Sequence, residues 1–224
     1  MIALPAEGGE GGDLYALFSC GAERFARVVL ADAVGHGFTA SGIAAHIHAL
    51  LHEHSDVQDI GGLLEALSRT FQSRERPGAP LRLATVVTAN YDRASGEFNF
   101  AYAAHPRMLL WRVRERDWYP LGEGLDGLPL GVIAGEWYSQ ASVRLESGDM
   151  VMAFSDAVNE VESPAGEPLT APGFVDLARS TVLGLPREVP LPEVSSGVLD
   201  AVSRYQGSTR FKDDLTMLLL RRGS

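Results

Sequence analysis

Leu30-Ala31-Asp32-Ala33-Val34-Gly35-His36-Gly37 joins two kinds of periodicity. Upstream, residues 24–30 contain the apolar, β-branched run of a buried strand. Downstream, residues 38–54 place Ile43, Ile47, Leu50 and Leu51 at the spacing of one helical face. Gly35 and Gly37 let the chain turn between the two, because glycine tolerates positive φ and close backbone approach. The stretch therefore predicts Asp32 at a strand end, with a helix N-terminus pointing back toward it. A carboxylate so placed either binds a cation or meets solvent, and the joint alone does not decide between them.

Working outward, residues 13–18 and 25–31 read as a hairpin turning near Gly21. A second helix follows Asp59, an N-cap residue type, over 60–73, with Leu63, Leu64, Leu67 and Phe71 on one face. Residues 73–80 (SRERPGAP) form a charged loop. Strands are expected at 83–91, 97–103, 108–114, 139–145 and 150–155, helices at 174–183 and 192–205, and an almost wholly apolar central strand at 214–220. The Gly-rich stretch 122–131 lacks the Lys-Ser/Thr ending of a phosphate-binding loop. Hairpins and paired helices in alternation, without repeated βαβ units, point to an α+β fold. The expectation is one domain over 1–224: a four-layer α-β-β-α sandwich of two antiparallel sheets flanked by helix pairs. The two early helices would cover one sheet and the two late helices the other.

At 224 residues and 24.1 kDa the chain is large enough to bury a core of its own. A net charge of −10 argues against nucleic acid or an anionic membrane as the main partner. Cys20 is the lone cysteine, so no intrachain disulfide forms, which suits a reducing cytoplasm. Residues 1–13 carry glycines and acids where a signal peptide would have a basic end and an apolar core. No apolar run approaches the roughly 20 residues of a membrane span. The expected location is cytoplasmic.

Further acids share the setting of Asp32. Asp13 opens the first strand, Asp156 follows the apolar Val151–Ser155 run, and Asp213 and Asp214 precede Leu215 to Leu220. Carboxylates about 4 Å apart repel by about 4 kcal/mol at an effective dielectric of 20. Acids that converge must therefore protonate or bind cations, and hard divalent ions favour oxygen ligands. Spacing alone also allows each acid to end its strand independently.

The motifs carry a resemblance. Asp32-Ala33-Val34-Gly35-His36-Gly37 resembles the D-V-S-G-H-G signature of bacterial metal-dependent Ser/Thr phosphatases of the type 2C (PPM) family, in the SpoIIE/RsbU/RsbX branch. In the same order, Gly11-Gly12-Asp13-Leu14-Tyr15 looks like G-G-D-x-Y-D and Ala103-Ala104-His105-Pro106 like N-A-G-H-P-P. Leu128-Pro129-Leu130-Gly131 matches L-P-L-G. Phe154 to Glu160, continuing to Gly166-Glu167, looks like Y-T-D-G-V-T-E…G-E, and Asp213-Asp214-Leu215-Thr216 matches D-D-V-T. The resemblance spans essentially the whole chain. It implies a sandwich whose edge holds two divalent cations, Mn²⁺ or Mg²⁺, and a water between them that attacks a phosphoserine or phosphothreonine. By position Asp32 would bridge both ions, the backbone carbonyl of Ala33 would help bind one, Asp13 would serve directly or through water, and Asp156 and Asp213 would complete the set with Asp214 behind them. The implied partner is a phosphorylated regulatory protein of the anti-sigma-factor antagonist type, in a partner-switching circuit.

Departures from the family pattern bear on activity. Ala16 stands where a second Asp is usual, which implies a lost hydrogen bond to ion-bound water. Ala33, Ala104 and Ala157 replace residues often Val, Gly and Gly, and Tyr102 replaces Asn; Ala157 is expected to need a backbone conformation that glycine reaches more easily. The alternative function is thus a catalytically silent module of the same fold that docks a kinase or antagonist. Among other candidates, His36 would donate a proton to the leaving alcohol or serve as a structural hydrogen-bonding group. His46, His48, His52 and His54 read as a solvated helix face ahead of a zinc site, and His105 as ordering a turn. Arg112, Arg114 and Arg116 read as a solvated strand face ahead of a docking edge. Trp111, Trp118 and Tyr119 either stabilise an end of the sandwich or contact a partner.

Overall fold

The structure, a computed structural model, describes residues 1–4, 12–20, 24–35, 37–73 and 82–223. Gly11, the turn at Gly21, His36 and the loop at 74–80 lie outside the described residues. In chain order the elements are β1 (Ile2–Leu4), β2 (Asp13–Cys20), β3 (Phe25–Ala33), α1 (Phe38–Glu53), α2 (Ile60–Ser73), β4 (Ala84–Asp92), β5 (Glu97–Ala103), β6 (Leu109–Arg112), β7 (Asp117–Pro120), β8 (Gln140–Arg144), β9 (Met150–Phe154), α3 (Ala171–Leu183), α4 (Leu191–Gln206) and β10 (Leu215–Arg221). They form two compact units, each stitched from segments distant in sequence. One comprises residues 10–105 and 122–145, the other 1–9, 106–121 and 146–224.

The first unit is an antiparallel sheet in the order β2-β3-β4-β5-β8. Alternation along β3 sends Val29, Ala31 and Ala33 into a cluster with Ile43, Ile47 and Leu50 of α1 and Leu63, Leu67 and Phe71 of α2. Each Val, Ile, Leu or Phe side chain in it contributes about 1.5–3 kcal/mol by leaving water. The Asp59 carboxylate accepts the Gly62 N–H (2.7 Å), and the Gln140 side-chain oxygen accepts the amides of Ile60 (3.0 Å) and Gly61 (3.3 Å), so the start of α2 is satisfied and tied to β8. Arg27, fully buried within the strand read as apolar, donates to the Asn90 side chain at 3.0 Å and to the Val57 carbonyl. Asn90 in turn donates to the Gln58 carbonyl at 2.9 Å, fastening the α1–α2 connection to the sheet.

The second unit is an antiparallel sheet in the order β1-β10-β9-β6-β7, packed with α3 and α4. Strand β10 is interior, paired with β1 and β9, and Leu215 to Leu219 are buried on both faces as its apolar run predicts. Trp111 and Trp118 are register partners with ring centroids 5.4 Å apart and bury the end of this sheet, while Tyr119 is exposed. Both sheets are antiparallel and each carries the helix pair the sequence assigned to it, which is the α+β class expected.

Four details correct the sequence reading. Residues 2–4 form β1, and residues 117–120 form β7. The strand expected at 108–114 stops at Arg112, because the Asp149 carboxylate accepts the Val113 amide (3.0 Å) and the Glu146 amide (2.8 Å) and holds a turn at 113–116. Arg112, Arg114 and Arg116 therefore do not share a strand face. Arg112 pairs with Asp149 (2.8 Å) and Arg114 with Glu146 (2.9 Å). Helix α3 begins three residues early, since Thr170 caps it through the Gly173 amide (3.2 Å) and Pro172 is tolerated in a first turn.

Candidate functional site

In the first unit the candidate residues gather where β2 begins and β3 ends. Asp13 and Asp32 are direct register partners. The Ala33 amide donates to the Gly12 carbonyl (3.2 Å), which makes Gly12–Ala33 a hydrogen-bonded position and Asp13–Asp32 the neighbouring non-hydrogen-bonded one. Paired side chains approach most closely at such positions, with Cα atoms about 4.5 Å apart. Leu14, Ala16, Val29, Ala31 and Ala33 belong to the helix-facing cluster, so both carboxylates project from the opposite face. Both are half-buried.

Gly12 sets the position of the Ala33 carbonyl. A Cβ on Gly12 would lie 2.6 Å from the Ala33 oxygen and 3.2 Å from the Ala40 side chain in the first turn of α1. No larger residue fits without displacing that carbonyl. Beyond it Val34 donates to the Leu83 carbonyl (2.9 Å), and Gly35 and Gly37 take φ values of 116° and 66°, as the turn into α1 requires. The L-P-L-G stretch supports this corner. Leu130 exchanges two backbone hydrogen bonds with Ala84, the β4 residue paired with Ala33 (3.2 and 2.9 Å). Gly131 has φ 96° and packs so tightly that a Cβ would fall 2.0 Å from the Arg82 carbonyl.

In the second unit the candidate acids sit where β9 ends and β10 begins. Asp156 opens a single 3₁₀ turn, Asp156–Val158. Fully buried Ser155 staples the two strand ends together: its amide donates to the Thr216 carbonyl (2.9 Å), its hydroxyl to the Asp214 carbonyl (3.0 Å), and it accepts the Thr216 amide (2.9 Å). That clasp holds together the strand ends that carry Asp156 and Asp213. Asp213 is exposed and accepts the Asp214 amide (2.7 Å), whereas Asp214 is buried. Glu160 belongs to the same cluster. Burial, then the charges of Asp156 and Asp213, raise its carboxyl above the usual range, with Lys212 opposing.

The sequence reading missed Ser155, Glu160 and Gly12 as contributors. A serine ending an apolar strand beside an aspartate carries a signal for Ser155, while the roles of Glu160 and Gly12 depend on packing that spacing does not encode. Ala16 points into the helix-facing core opposite Val29, on the other face of β2 from Asp13, so the lost hydrogen bond inferred there is corrected. Ala157 lies in the right-handed 3₁₀ turn, buried among apolar side chains. Of the alanines that depart from the family pattern, Ala104 takes the left-handed conformation, with φ 56°. Tyr102 is buried, its ring set edge-on against Phe100 at 5.8 Å, and fills space in the sheet. His105 is buried. His48 and His52 meet edge-on at 4.6 Å on an exposed face of α1, while His46 stacks on Phe71 (5.3 Å) and His54 contacts the Thr70 hydroxyl (3.4 Å).

Among the described residues, no group of three or more His, Cys, Asp or Glu side chains forms a ready-made metal cage. The donors each unit does offer are hard: a facing carboxylate pair beside a main-chain carbonyl in one, and carboxylates at adjoining strand ends in the other. That donor chemistry fits Mg²⁺ or Mn²⁺.

Residues 23–223 match the family model described as stage II sporulation protein E (SpoIIE). The chain is 28% identical over 138 residues to the phosphoserine phosphatase RsbU of Bacillus subtilis (strain 168), covering 62% of this chain and 38% of RsbU. The crystal structure of the RsbU and RsbW domains of Rv1364c from Mycobacterium tuberculosis superimposes with a TM-score of 0.77 at 28% identity, covering 99% of this chain and 59% of that one. RsbX, solved in complex with magnesium, shares the fold at 18% identity with a TM-score of 0.65, over 97% of this chain and 91% of RsbX. The chain thus spans less than two thirds of RsbU and of the Rv1364c structure.

Proposed function

Since this chain belongs to the SpoIIE family, in the RsbU-like branch of the type 2C (PPM) phosphatases, we propose that it is a metal-dependent protein serine/threonine phosphatase. The observation that carries the reading is the Asp13–Asp32 pair. Two carboxylates set face to face on adjacent strands repel when both are ionised, and a shared divalent cation is one way to offset that repulsion. On this reading Asp32, Asp13 and the Ala33 carbonyl, with Asp156 and Asp213, hold two divalent ions, Mn²⁺ or Mg²⁺, and Asp214 supports Asp213. When bound, such ions activate water and neutralise charge on a phosphoryl group.

The protein's own share of the chemistry is positional. Gly12 crowds the Ala33 carbonyl, and the Ser155 clasp holds the strand ends that carry Asp156 and Asp213. No protein nucleophile is required. His36 is the proposed proton donor to the departing serine or threonine oxygen. The proposed substrate is a phosphorylated regulatory protein of the anti-sigma-factor antagonist type in a cytoplasmic partner-switching circuit. Support comes from the RsbU likeness alone. Among the described residues no helix is long and apolar enough to cross a membrane.

Hydrolysis of p-nitrophenyl phosphate with and without Mn²⁺ tests the activity. Turnover that requires the metal is expected. A folded protein with no turnover at any Mn²⁺ concentration would overturn the reading and favour the silent docking module.

A further inference from the structure

At the end of β9 and β10 away from Asp156 and Asp213, the second unit contains a cavity of about 410 Å³. Its base is apolar, formed in part by buried Trp111 and Val182. Its walls carry Arg116, Arg187, Arg221 and Arg222, with Glu188 the single acid among the described residues that line it. In a chain of net charge −10 this is a concentrated island of positive charge.

The arginines divide by what holds them. The Arg221 guanidinium donates to the Val189 carbonyl (2.7 Å) and is fixed in place. The neighbouring Arg112 and Arg114 have carboxylate partners. Arg116 and Arg187 make no ion pair or side-chain hydrogen bond among the described residues. Arg116 also adopts φ 56°, a left-handed conformation disfavoured for a side-chain-bearing residue and common at functional sites.

We propose that this cavity binds a small phosphate monoester of nucleotide size, its phosphate gripped by Arg116 and Arg187 and its body set against the apolar base. Guanidinium forks match the geometry of phosphate oxygens. Arg116 and Arg187 together favour a dianion over a monoanion, and a phosphate monoester carries about −1.5 to −2 at neutral pH. The volume lies in the range of small-molecule sites. This binding is independent of the proposed phosphatase reaction.

Isothermal titration calorimetry on the full chain in EDTA, which removes ions that would draw phosphate to the acids, tests it. The probes are adenosine 5′-monophosphate, adenosine, inorganic phosphate and octanoate. Adenosine 5′-monophosphate is expected to bind, inorganic phosphate more weakly, and adenosine and octanoate not at all at the same concentrations. Arg187→Ala, on an exposed side chain, should melt like the wild type and weaken the nucleotide by about tenfold or more. Arg204→Ala, on the exposed face of α4 away from the cavity, should leave binding unchanged. Absence of nucleotide binding, adenosine or octanoate binding as tightly as the nucleotide, or wild-type affinity in Arg187→Ala would each overturn the proposal.

Discussion

Asp13 and Asp32 face each other across β2 and β3 at a non-hydrogen-bonded position, on the side of the sheet that the helices leave free. A sheet built for stability alone avoids like charges directly opposite one another. Relieving that repulsion with a neutral amide should therefore separate stability from catalysis. Asp32→Asn is expected to abolish turnover at every Mn²⁺ concentration while leaving the melting temperature in EDTA equal or higher, the gain in stability being about a few kcal/mol at most. Rates across an Mn²⁺ titration, with metal-free melts alongside, check both parts; full activity at saturating Mn²⁺ would sink the mechanism.

Gly12→Ala tests the main-chain ligand without touching a carboxylate. The new methyl would meet the Ala33 oxygen at 2.6 Å and push it aside. Turnover at limiting Mn²⁺ should fall and the half-saturating Mn²⁺ concentration should rise, partly recovering at high metal. An unchanged Mn²⁺ curve would show that the Ala33 carbonyl does not take part.

Ser155→Ala removes the hydroxyl that both accepts the Thr216 amide and donates to the Asp214 carbonyl. Leaving those buried groups unmatched should cost about 1–3 kcal/mol. If the clasp positions Asp156, Mn²⁺ affinity should fall in the same variant. Urea denaturation and Mn²⁺ titration read the two effects, and a stability loss with unaltered metal affinity would reduce Ser155 to a purely structural role.

Ala104→Gly should stabilise the protein by up to about 1 kcal/mol, because Ala104 occupies left-handed φ at 56° and glycine does so without a Cβ penalty. A lower melting temperature would show that the Ala104 methyl contributes packing that outweighs the backbone strain.

The Arg24 guanidinium, hydrogen-bonded to Asp92 at 2.6 and 3.0 Å, lowers that carboxyl from its ordinary 3.8 to about 2, helped by the amides of Ala94 and Ser95. A depressed carboxyl stabilises the fold above its unfolded value and loses that contribution as pH falls toward the folded one. Acid titration of stability between pH 4 and 2 should show this slope in the wild type and a shallower one in Asp92→Asn. Identical slopes would remove Asp92 from the account.

Much of this was legible beforehand because the signals were local. The strand–glycine–helix joint at Asp32, the Asp59 cap and the apolar run of β10 each declare themselves within a few residues, and the motifs supplied the order of the acids. The turn at 113–116 was not legible, since Asp149 imposes it from more than thirty positions away. Nor was the facing of Asp13 and Asp32, because register is a property of two strands. Ala157 does not need the glycine-like backbone expected of it, and Ala104 takes a left-handed one instead: the chain leaves β9 through a right-handed 3₁₀ turn that alanine enters freely.

Central β10 also sets a timetable for synthesis. It lies between β1, made first, and β9. A ribosome adding roughly 5–20 residues per second leaves β1 without its partner for about ten to forty seconds. The sheet of β2, β3, β4, β5 and β8 can close once residue 144 has emerged, but β9, apolar at all five positions, must wait with an open edge. Such an edge invites pairing with other nascent chains. Soluble yield should therefore depend on how promptly residues 215–221 are delivered, and slow codons just before them should convert product into inclusion bodies without altering a single contact of the finished molecule.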